Sequence, residues 1–298
     1  MIEIKNLTKR FDKTTALDGL NLTVESGTVT GLIGSNGGGK STLLRILAGV
    51  YFPDEGEVLI DGAKPFDNPA VKGNCFFVSD FPFFYTDSTL GNTAALYRRL
   101  YPNWSEEEYR RCCEVFPINP NQRIINMSKG MQRQAALIIA LSTRPKTLFL
   151  DEIFDGLDAV VRLALKRLLA ERVAEQDMTV MIASHNLREL EDLCDRICVL
   201  HKGKVLTERD IFSLRGEYRK VQVGFAVLPE GELFKDIPAI NITQNGNVFN
   251  ITVKGVEEDF MPQIEALNPA FVSALPLTLE EVFISEMEEA GYDAYHIS

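Results

Sequence analysis

The sequence predicts an α/β fold with a mixed, mainly parallel sheet, an inserted helical subdomain at about residues 85–145 and a small C-terminal α+β domain. Short apolar segments rich in β-branched residues alternate with helical patterns, which is typical of a parallel sheet covered on both faces. A glycine-rich loop joins one of these strands to a helix, and the charge and the pattern both change after Phe212. We therefore expect two domains, residues 1–212 and 213–298.

The expected strands and helices follow from apolar spacing and turn residues. Expected strands are two within residues 1–27 around a turn at Asp12-Lys13, then Thr28–Ile33, Gly56–Gly62, Thr147–Leu150, Met178–Ala183 and a hairpin at Ile197–Leu206. Expected helices are Thr42–Ala48, several between 85 and 145, 159–175 and Asn186–Leu193. After Phe212 we expect a strand at Lys220–Val227, a hairpin at Ile240–Val253 around Asn245-Gly246, and helices near 256–267 and 278–289.

The helix that begins after Ser105 has a clear start signal. Ser105 is a favoured N-cap residue, and Glu108 stands three positions later, as in a capping box. We therefore expect the Ser105 side chain to accept a hydrogen bond from the Glu108 amide, and the Glu108 side chain to reach back to the Ser105 amide.

The glycine-rich loop has the pattern G-x-x-x-x-G-K-S, and it stands between a buried strand and a helix, the context that this phosphate-binding motif needs. Its glycines let backbone N–H groups surround phosphates at the positive end of the new helix. Lys40 can reach the β- and γ-phosphates, and the Ser41 hydroxyl can bind Mg²⁺. The expected nucleotide-binding residues of this loop are Gly34, Ser35, Asn36, Gly37, Gly38, Gly39, Lys40, Ser41 and Thr42. The motif predicts a P-loop NTPase core.

Two acids and a histidine stand at the ends of two other expected strands. Asp151 and Glu152 follow the apolar Leu148-Phe149-Leu150, so one carboxylate can hold Mg²⁺ through water and the next can polarise the attacking water. His185 follows the strand Met178–Ala183, where ligands meet a parallel sheet. A histidine in this place can contact the γ-phosphate, or it can be a cap or a packed residue.

These motifs, with several others, resemble the ATP-binding subunit of an ABC transporter. Met127-Ser128-Lys129-Gly130-Met131 is similar to the signature L-S-G-G-Q of that family, and Asp155-Gly156-Leu157-Asp158 resembles its D-loop. Ser184-His185 resembles the switch histidine, and Phe11 matches the aromatic position that stacks on adenine. The resemblance covers about residues 1–212, with every motif in the family's order.

The resemblance implies an ATP hydrolase with Mg²⁺, in which Glu152 is the general base and His185 senses the γ-phosphate. It implies a head-to-tail homodimer, with ATP between the phosphate loop of one copy and Ser128 and Gly130 of the other. It also implies a polytopic membrane permease of the exporter type as partner, and a cytoplasmic location, peripheral on the inner face of the cell membrane.

Three departures from the family pattern are visible. Asp80 stands where the family has Gln or Glu, so its reach to Mg²⁺ is shorter by one carbon. Lys129 and Met131 replace a Gly and a Gln of the signature, and the resulting S-K-G-M resembles a subset of bacterial exporter ATPases. Ile153-Phe154 replaces the common Pro-Thr.

Composition limits the possible partners. The net charge of −11 argues against nucleic-acid binding, and the longest apolar run, Ala135–Leu141, is far shorter than the roughly 20 residues of a membrane span. An odd number of cysteines, five, favours reduced thiols. Most of the negative charge falls after Phe212, so the C-terminal domain is an acidic accessory domain, either a solvated surface or a regulatory or dimer-stabilising one.

The aromatic segment Phe81–Tyr85 can either line the cleft that receives a permease helix or pack within the helical subdomain.

Two other functions stay open. One is a non-transport ABC ATPase in translation, repair or cofactor assembly, although the chain has one cassette and only a short gap between the phosphate loop and the signature. The other is a binding module in which ATP is structural, which Glu152 and His185 argue against.

Overall fold

The computed structural model describes residues 1–229, 233–235, 237–275, 277–278 and 280–282. The chain divides into two compact units, Met1–Glu208 and a second one that begins at Arg209. In the first unit strands and helices alternate and most strands of the larger sheet pair in parallel, so the predicted α/β fold is confirmed. Within the described ranges, every helix is too short or too polar to cross a membrane.

The first unit contains two sheets and the helices that pack on them. Its strands are β1 (Ile2–Phe11), β2 (Thr14–Val24), β3 (Val29–Ile33), β4 (Glu55–Ile60), β5 (Cys75–Val78), β6 (Thr147–Asp151), β7 (Thr179–Ser184), β8 (Arg196–His201) and β9 (Lys204–Asp210). Its helices are α1 (Lys40–Leu47), α2 (Pro69–Lys72), α3 (Leu90–Leu100), α4 (Glu106–Val115), α5 (Lys129–Ser142), α6 (Ala159–Gln176) and α7 (Leu187–Leu190).

The order of the strands brings distant motifs to one edge. The smaller sheet is antiparallel, in the order β2-β1-β4, and the larger has the order β5-β6-β7-β3-β8-β9. In the parallel register Asp151 pairs with Ala183, and Ile33 pairs with Ser184. Because parallel strands end at the same edge, the residues after β3, β6 and β7 lie side by side.

One buried apolar cluster joins the two sheets through α1. It contains Ile2 and Ile4 of β1, Leu43 and Leu47 of α1, and Phe149 of β6, all at most 2% exposed. At roughly 25 cal/mol per Å² of apolar surface removed from water, such side chains contribute about 1.5–3 kcal/mol each. The helix that follows the glycine-rich loop is therefore fixed to the sheet by its apolar face.

The expected capping box at the start of α4 is wrong in one half. The Ser105 side chain accepts a hydrogen bond from the Glu108 amide at 3.2 Å, as expected. The Glu108 carboxylate, however, pairs with Arg172 of α6, and the Ser105 amide donates to the carbonyl of Ser142 at 2.8 Å. Glu108 and Arg172 are both buried, and a buried guanidinium needs an ionic partner, whereas the Ser105 amide already has the Ser142 carbonyl as its acceptor.

The helix expected at Asn186–Leu193 is shorter in the structure. The Asn186 side chain caps α7 by accepting from the Arg188 amide at 3.1 Å, and α7 ends at Leu190. A turn follows, in which the amides of Leu193 and Cys194 both donate to the Leu190 carbonyl. This turn leads into the pairing of β8 with β3.

The second unit is a small α+β fold, as expected. Its elements are α8 (Ile211–Glu217), β10 (Tyr218–Gly224), β11 (Ala239–Asn245), β12 (Val248–Lys254), α9 (Glu257–Glu265) and β13 (Phe271–Leu275). The sheet is antiparallel, in the order β11-β12-β10-β13, and Phe260 and Ile264 of α9 belong to the buried cluster of this unit. β13 is not among the strands expected from the sequence, and it pairs antiparallel with β10. The helix expected near 278–289 lies, from residue 283 onward, outside the described residues.

Candidate active site

The glycine-rich loop between β3 and α1 has a backbone that only glycine adopts without strain. Gly34 has a φ of 152°, and a Cβ atom there would lie 2.1 Å from the Leu200 carbonyl oxygen. Gly39, at the N-cap of α1, has a φ of 106°, and its Cβ would lie 2.7 Å from the Ala16 carbonyl oxygen. No side chain of the described residues caps α1, so the amides of its first turn are available to an anion.

Lys40 is buried beneath this loop. Its Nζ donates to the carbonyl oxygens of Gly34 at 2.6 Å and Ser35 at 3.3 Å, and lies 3.7 Å from Glu152 Oε1. Burial lowers the pKa of Lys40, while the carboxylates of Glu152 and Asp151 act in the opposite direction. The ammonium group is thus held at the loop, ready to exchange carbonyl contacts for phosphate oxygens.

Asp151 and Ser41 form a pair that suits a divalent cation. The Ser41 hydroxyl donates to Asp151 Oδ1 at 2.9 Å. Asp151 is fully buried, and its Oδ2 has no hydrogen-bond partner among the described residues. Burial raises the pKa of Asp151, and the Asp80 carboxylate adds to this effect. A hydroxyl and a buried carboxylate with an unused oxygen are hard ligands of the kind that Mg²⁺ prefers, so the residues present fit this ion.

Asp80 follows β5 and lies near the same edge. Its Oδ1 accepts a hydrogen bond from the Phe81 amide at 2.9 Å and lies 3.8 Å from the Arg45 guanidinium. Its carbonyl oxygen accepts a hydrogen bond from Arg133 Nε of α5 at 3.2 Å. These contacts hold the carboxylate close to its own backbone, and a role as a Mg²⁺ ligand stays a prediction.

Glu152 and His185 contact each other across β6 and β7. Glu152 has a φ of 47°, a left-handed conformation that costs energy for a residue with a side chain, and its amide donates to the Ala183 carbonyl at 2.9 Å. Glu152 Oε2 lies 2.9 Å from His185 Nδ1 and accepts a hydrogen bond from the His185 amide at 3.3 Å. Glu152 is largely buried and the His185 side chain is half exposed, so the imidazole can meet a ligand from solvent.

We expect the pKa of His185 to lie above its ordinary value of 6.5 and to fall towards it in a Glu152→Gln variant. The largest cause of the raised pKa is the hydrogen bond to Glu152, and partial burial opposes it. Because the pKa is raised on folding, the contact stabilises the folded protein fully below about pH 6.5 and is lost as the pH rises through the folded pKa. An NMR titration of the imidazole rings measures this, with His185→Gln to assign the signal. An identical His185 pKa in both proteins would contradict the contact.

Ser128 and Gly130 of the signature segment lie at the start of α5. The Ser128 hydroxyl caps α5 by accepting from the Met131 amide at 3.2 Å, and Ser128 is exposed. A Cβ at Gly130 would lie 2.4 Å from the carbonyl oxygen of Gly156, so this glycine permits close contact with the D-loop segment. Arg133 Nη1 also donates to the Asp155 carbonyl. The sequence did not single out Arg133, because it stands between Gln132 and Gln134 in the polar first part of α5 and its burial is visible only in the structure.

Phe11 lies at the end of β1, apart from the strand-end cluster. It is 40% exposed, and its ring makes an edge-on contact with Tyr51, at 5.4 Å between ring centres. Lys9 Nζ lies 5.4 Å from the same ring centre. Part of the ring is therefore available to a planar ligand such as a base. Tyr51, which no sequence motif indicates, supports the Phe11 ring.

The aromatic segment Phe81–Tyr85 is mostly on the surface. Phe81, Phe83 and Tyr85 are 67%, 82% and 68% exposed, and the rings of Phe83 and Tyr85 contact each other. Ile153 and Phe154, in contrast, are fully buried, so the replacement of the common Pro-Thr provides packing beneath the D-loop. Ile153 and Phe154 thus belong to the core, whereas Phe81, Phe83 and Tyr85 form an exposed apolar surface.

The glycine-rich loop, the buried lysine and the acid pair at the end of a parallel strand define the class, a P-loop nucleotide hydrolase. Comparison with known proteins identifies the family within this class. The family described as ABC transporter matches residues 17–155. ABC transporter ATP-binding protein YtrB of Bacillus subtilis (strain 168) is 31% identical, over 96% of this chain and 98% of its own length. The chain therefore belongs to the ATP-binding proteins of ABC transporters, and it is an ATP hydrolase that uses Mg²⁺.

Two further comparisons bear on direction and assembly. The sulfate/thiosulfate import ATP-binding protein CysA of Bradyrhizobium diazoefficiens is 32% identical, over 68% of this chain and 62% of its own length. A solved dimeric structure of the cassette MJ0796, in a post-hydrolysis state bound to ADP and Pi, is 26% identical, with a TM-score of 0.63 over 71% of this chain and 99% of that one. Cassettes of this family dimerise and pair with membrane permease subunits.

Proposed function

We propose that this chain powers a membrane exporter as one of two identical ATPase subunits. Residues 1–212 form the cassette in this proposal, with a helical subdomain at about 85–145, and residues 213–298 form an accessory domain. The observation that carries the proposal is the convergence of Lys40, Ser41, Asp151, Glu152 and His185 at the carboxyl ends of three neighbouring strands.

Each residue of this cluster has a distinct role in hydrolysis. Lys40 and the amides of the loop and of α1 bind the β- and γ-phosphates, and Phe11 contacts the adenine. Glu152 accepts a proton from the attacking water, and its contact with His185 aims the imidazole at the γ-phosphate. Ser41 and Asp151 would hold Mg²⁺, with Asp80 as a further ligand, and the bound ion would neutralise charge on the phosphates.

The site is completed by a second copy of the chain. Ser128 and Gly130 at the start of α5 would face the γ-phosphate bound by the partner copy, where the N-terminus of this helix favours an anion. The dimeric cassette structure supports this arrangement. Closure of the dimer would then depend on ATP, so that hydrolysis is coupled to movement.

The exposed surface of Phe81, Phe83 and Tyr85 is the proposed contact with the permease. These rings adjoin Asp80, so a partner bound there would lie next to the catalytic edge. A location on the inner face of the cell membrane follows from that contact. Export, rather than import, is supported by the S-K-G-M signature at 128–131; the similarity to an import protein makes direction part of the proposal.

The test is to trap tagged Glu152→Gln protein with ATP and Mg²⁺ in native membranes and to identify what co-purifies. We expect a polytopic membrane protein to co-purify. A Phe83→Ser variant on the same background is expected to lose this partner, while the protein alone still dimerises with ATP in light scattering. Recovery of soluble partners alone would favour the non-transport ATPase instead.

Direction is tested on the complex reconstituted in liposomes with the cassettes outside. For an exporter, cargo offered on the cassette side stimulates ATP hydrolysis, because an exporter takes up its cargo from that side. Stimulation only by cargo enclosed in the lumen would identify an importer.

A further inference from the structure

A buried acid lies behind His185 and does not belong to the cluster described above. Glu189 of α7 has a side chain that is only 7% exposed, although its helix is short and its neighbours Leu187 and Leu190 are apolar. Burying a carboxylate costs free energy unless it is paired. An apolar residue at this position would pack without that cost, so the contacts of Glu189 call for a reason.

The first of these contacts fixes the turn that carries His185. Glu189 Oε2 accepts a hydrogen bond from the Ser184 hydroxyl at 3.1 Å. The same hydroxyl accepts a hydrogen bond from the Asn186 amide at 3.0 Å. The residues immediately before and after His185 are therefore tied to one another and to Glu189.

The second contact reaches the loop that follows Glu152. Glu189 Oε1 lies 3.4 Å from Arg162 Nη1 of α6. Arg162 Nη2 in turn donates to the Leu157 carbonyl oxygen at 3.4 Å, in the D-loop segment. Because arginine presents several donors in a rigid plane, it can bind both groups at once.

We propose that Glu189 and Arg162 are positioning residues that hold His185 against Glu152 and thereby set the rate of ATP hydrolysis. Glu189 is hydrogen-bonded to Ser184, at the end of β7 and next to His185. Arg162 is hydrogen-bonded to Leu157, in the loop that follows β6 and Glu152. Neither makes a contact with the phosphate loop that the structure records. The inference rests on the catalytic roles proposed for Glu152 and His185.

The expected effect of Glu189→Gln is a fall in kcat of about tenfold, with KM for ATP changed by less than about twofold, since a small misplacement of a catalytic group costs rate rather than binding. Glutamine keeps an oxygen for the Ser184 hydroxyl but loses the charge that pairs with Arg162. Arg162→Gln breaks the same pair from α6 and leaves α7 unaltered, so we expect a similar fall. The control is Asp192→Asn, which removes an exposed carboxylate 4.0 Å from Lys166 of α6 and should leave kcat unchanged.

A double-mutant cycle with His185→Ala separates positioning from general stability. If Glu189 acts through His185, Glu189→Gln changes kcat by less than about twofold once His185 is alanine. An equal, roughly tenfold loss in both backgrounds would overturn the proposal, as would an unchanged kcat for both Glu189→Gln and Arg162→Gln. If His185→Ala by itself left kcat unchanged, both this proposal and the role of His185 in the proposed function would be wrong. That result is distinguishable from an equal loss in both backgrounds, which would overturn this proposal alone. The full-length chain is used throughout, and thermal unfolding verifies that each variant is folded.

Discussion

Glu152→Gln is expected to lower kcat for ATP hydrolysis by about 10²- to 10⁴-fold while ATP still binds, because Glu152 is the proposed general base and a glutamine side chain cannot accept the proton. Glutamine has nearly the volume of glutamate and keeps an oxygen within reach of His185 Nδ1. Lys40, which lies 3.7 Å from Glu152, loses a negative neighbour and becomes freer to contact phosphate. The variant should therefore accumulate in the ATP-bound form.

Phosphate release under single-turnover conditions and ATP affinity by calorimetry measure the two halves of this expectation separately. The matched control is Glu114→Gln, which changes an exposed glutamate of α4 in the same way and should hydrolyse ATP normally. If Glu152→Gln kept a near-normal rate, another group would have to accept the proton. If it lost ATP binding, Glu152 would instead be a determinant of the nucleotide pocket.

Lys40→Met is expected to weaken ATP binding by about 10- to 100-fold, because charge-assisted hydrogen bonds to the phosphates contribute about 1.5–3 kcal/mol. Hydrolysis should become undetectable at ordinary ATP concentrations. The stability of the folded protein without nucleotide should not decrease. Burial lowers the pKa of Lys40, which means that the charged form costs free energy in the folded state at neutral pH, and methionine removes this cost at similar volume.

Calorimetric titration with ATP and Mg²⁺ and thermal unfolding without nucleotide test these two expectations. Lys13→Met removes an exposed lysine from the turn between β1 and β2 and serves as the control for the change in net charge. Unaltered ATP affinity in Lys40→Met would show that the loop amides alone hold the phosphates. A large drop in unfolding temperature would mean that the hydrogen bonds of Lys40 to the Gly34 and Ser35 carbonyls stabilise the loop more than the burial of its charge destabilises it.

The local elements of this protein were largely readable from its sequence. The phosphate loop, the strands ending at Asp151 and Ser184, and the Ser105 cap all depend on residues a few positions apart. Positive φ angles, apolar periodicity and capping chemistry act over that range, so sequence spacing is enough to predict them. The fold class followed from the alternation of these elements.

Contacts between distant segments were decided by the tertiary structure alone. The Glu108 carboxylate pairs with Arg172, sixty-four residues away, instead of completing the expected capping box. Gly130 lies against the carbonyl oxygen of Gly156. Glu189 and Arg162 likewise gave no signal in the sequence. Such pairs depend on the order β6-β7-β3 and on how α5 and α6 pack. That order results from burial of apolar surface across the whole unit, which no local pattern encodes. The sequence by itself therefore determined which groups are candidates for the chemistry, and the tertiary structure determined which other groups contact them.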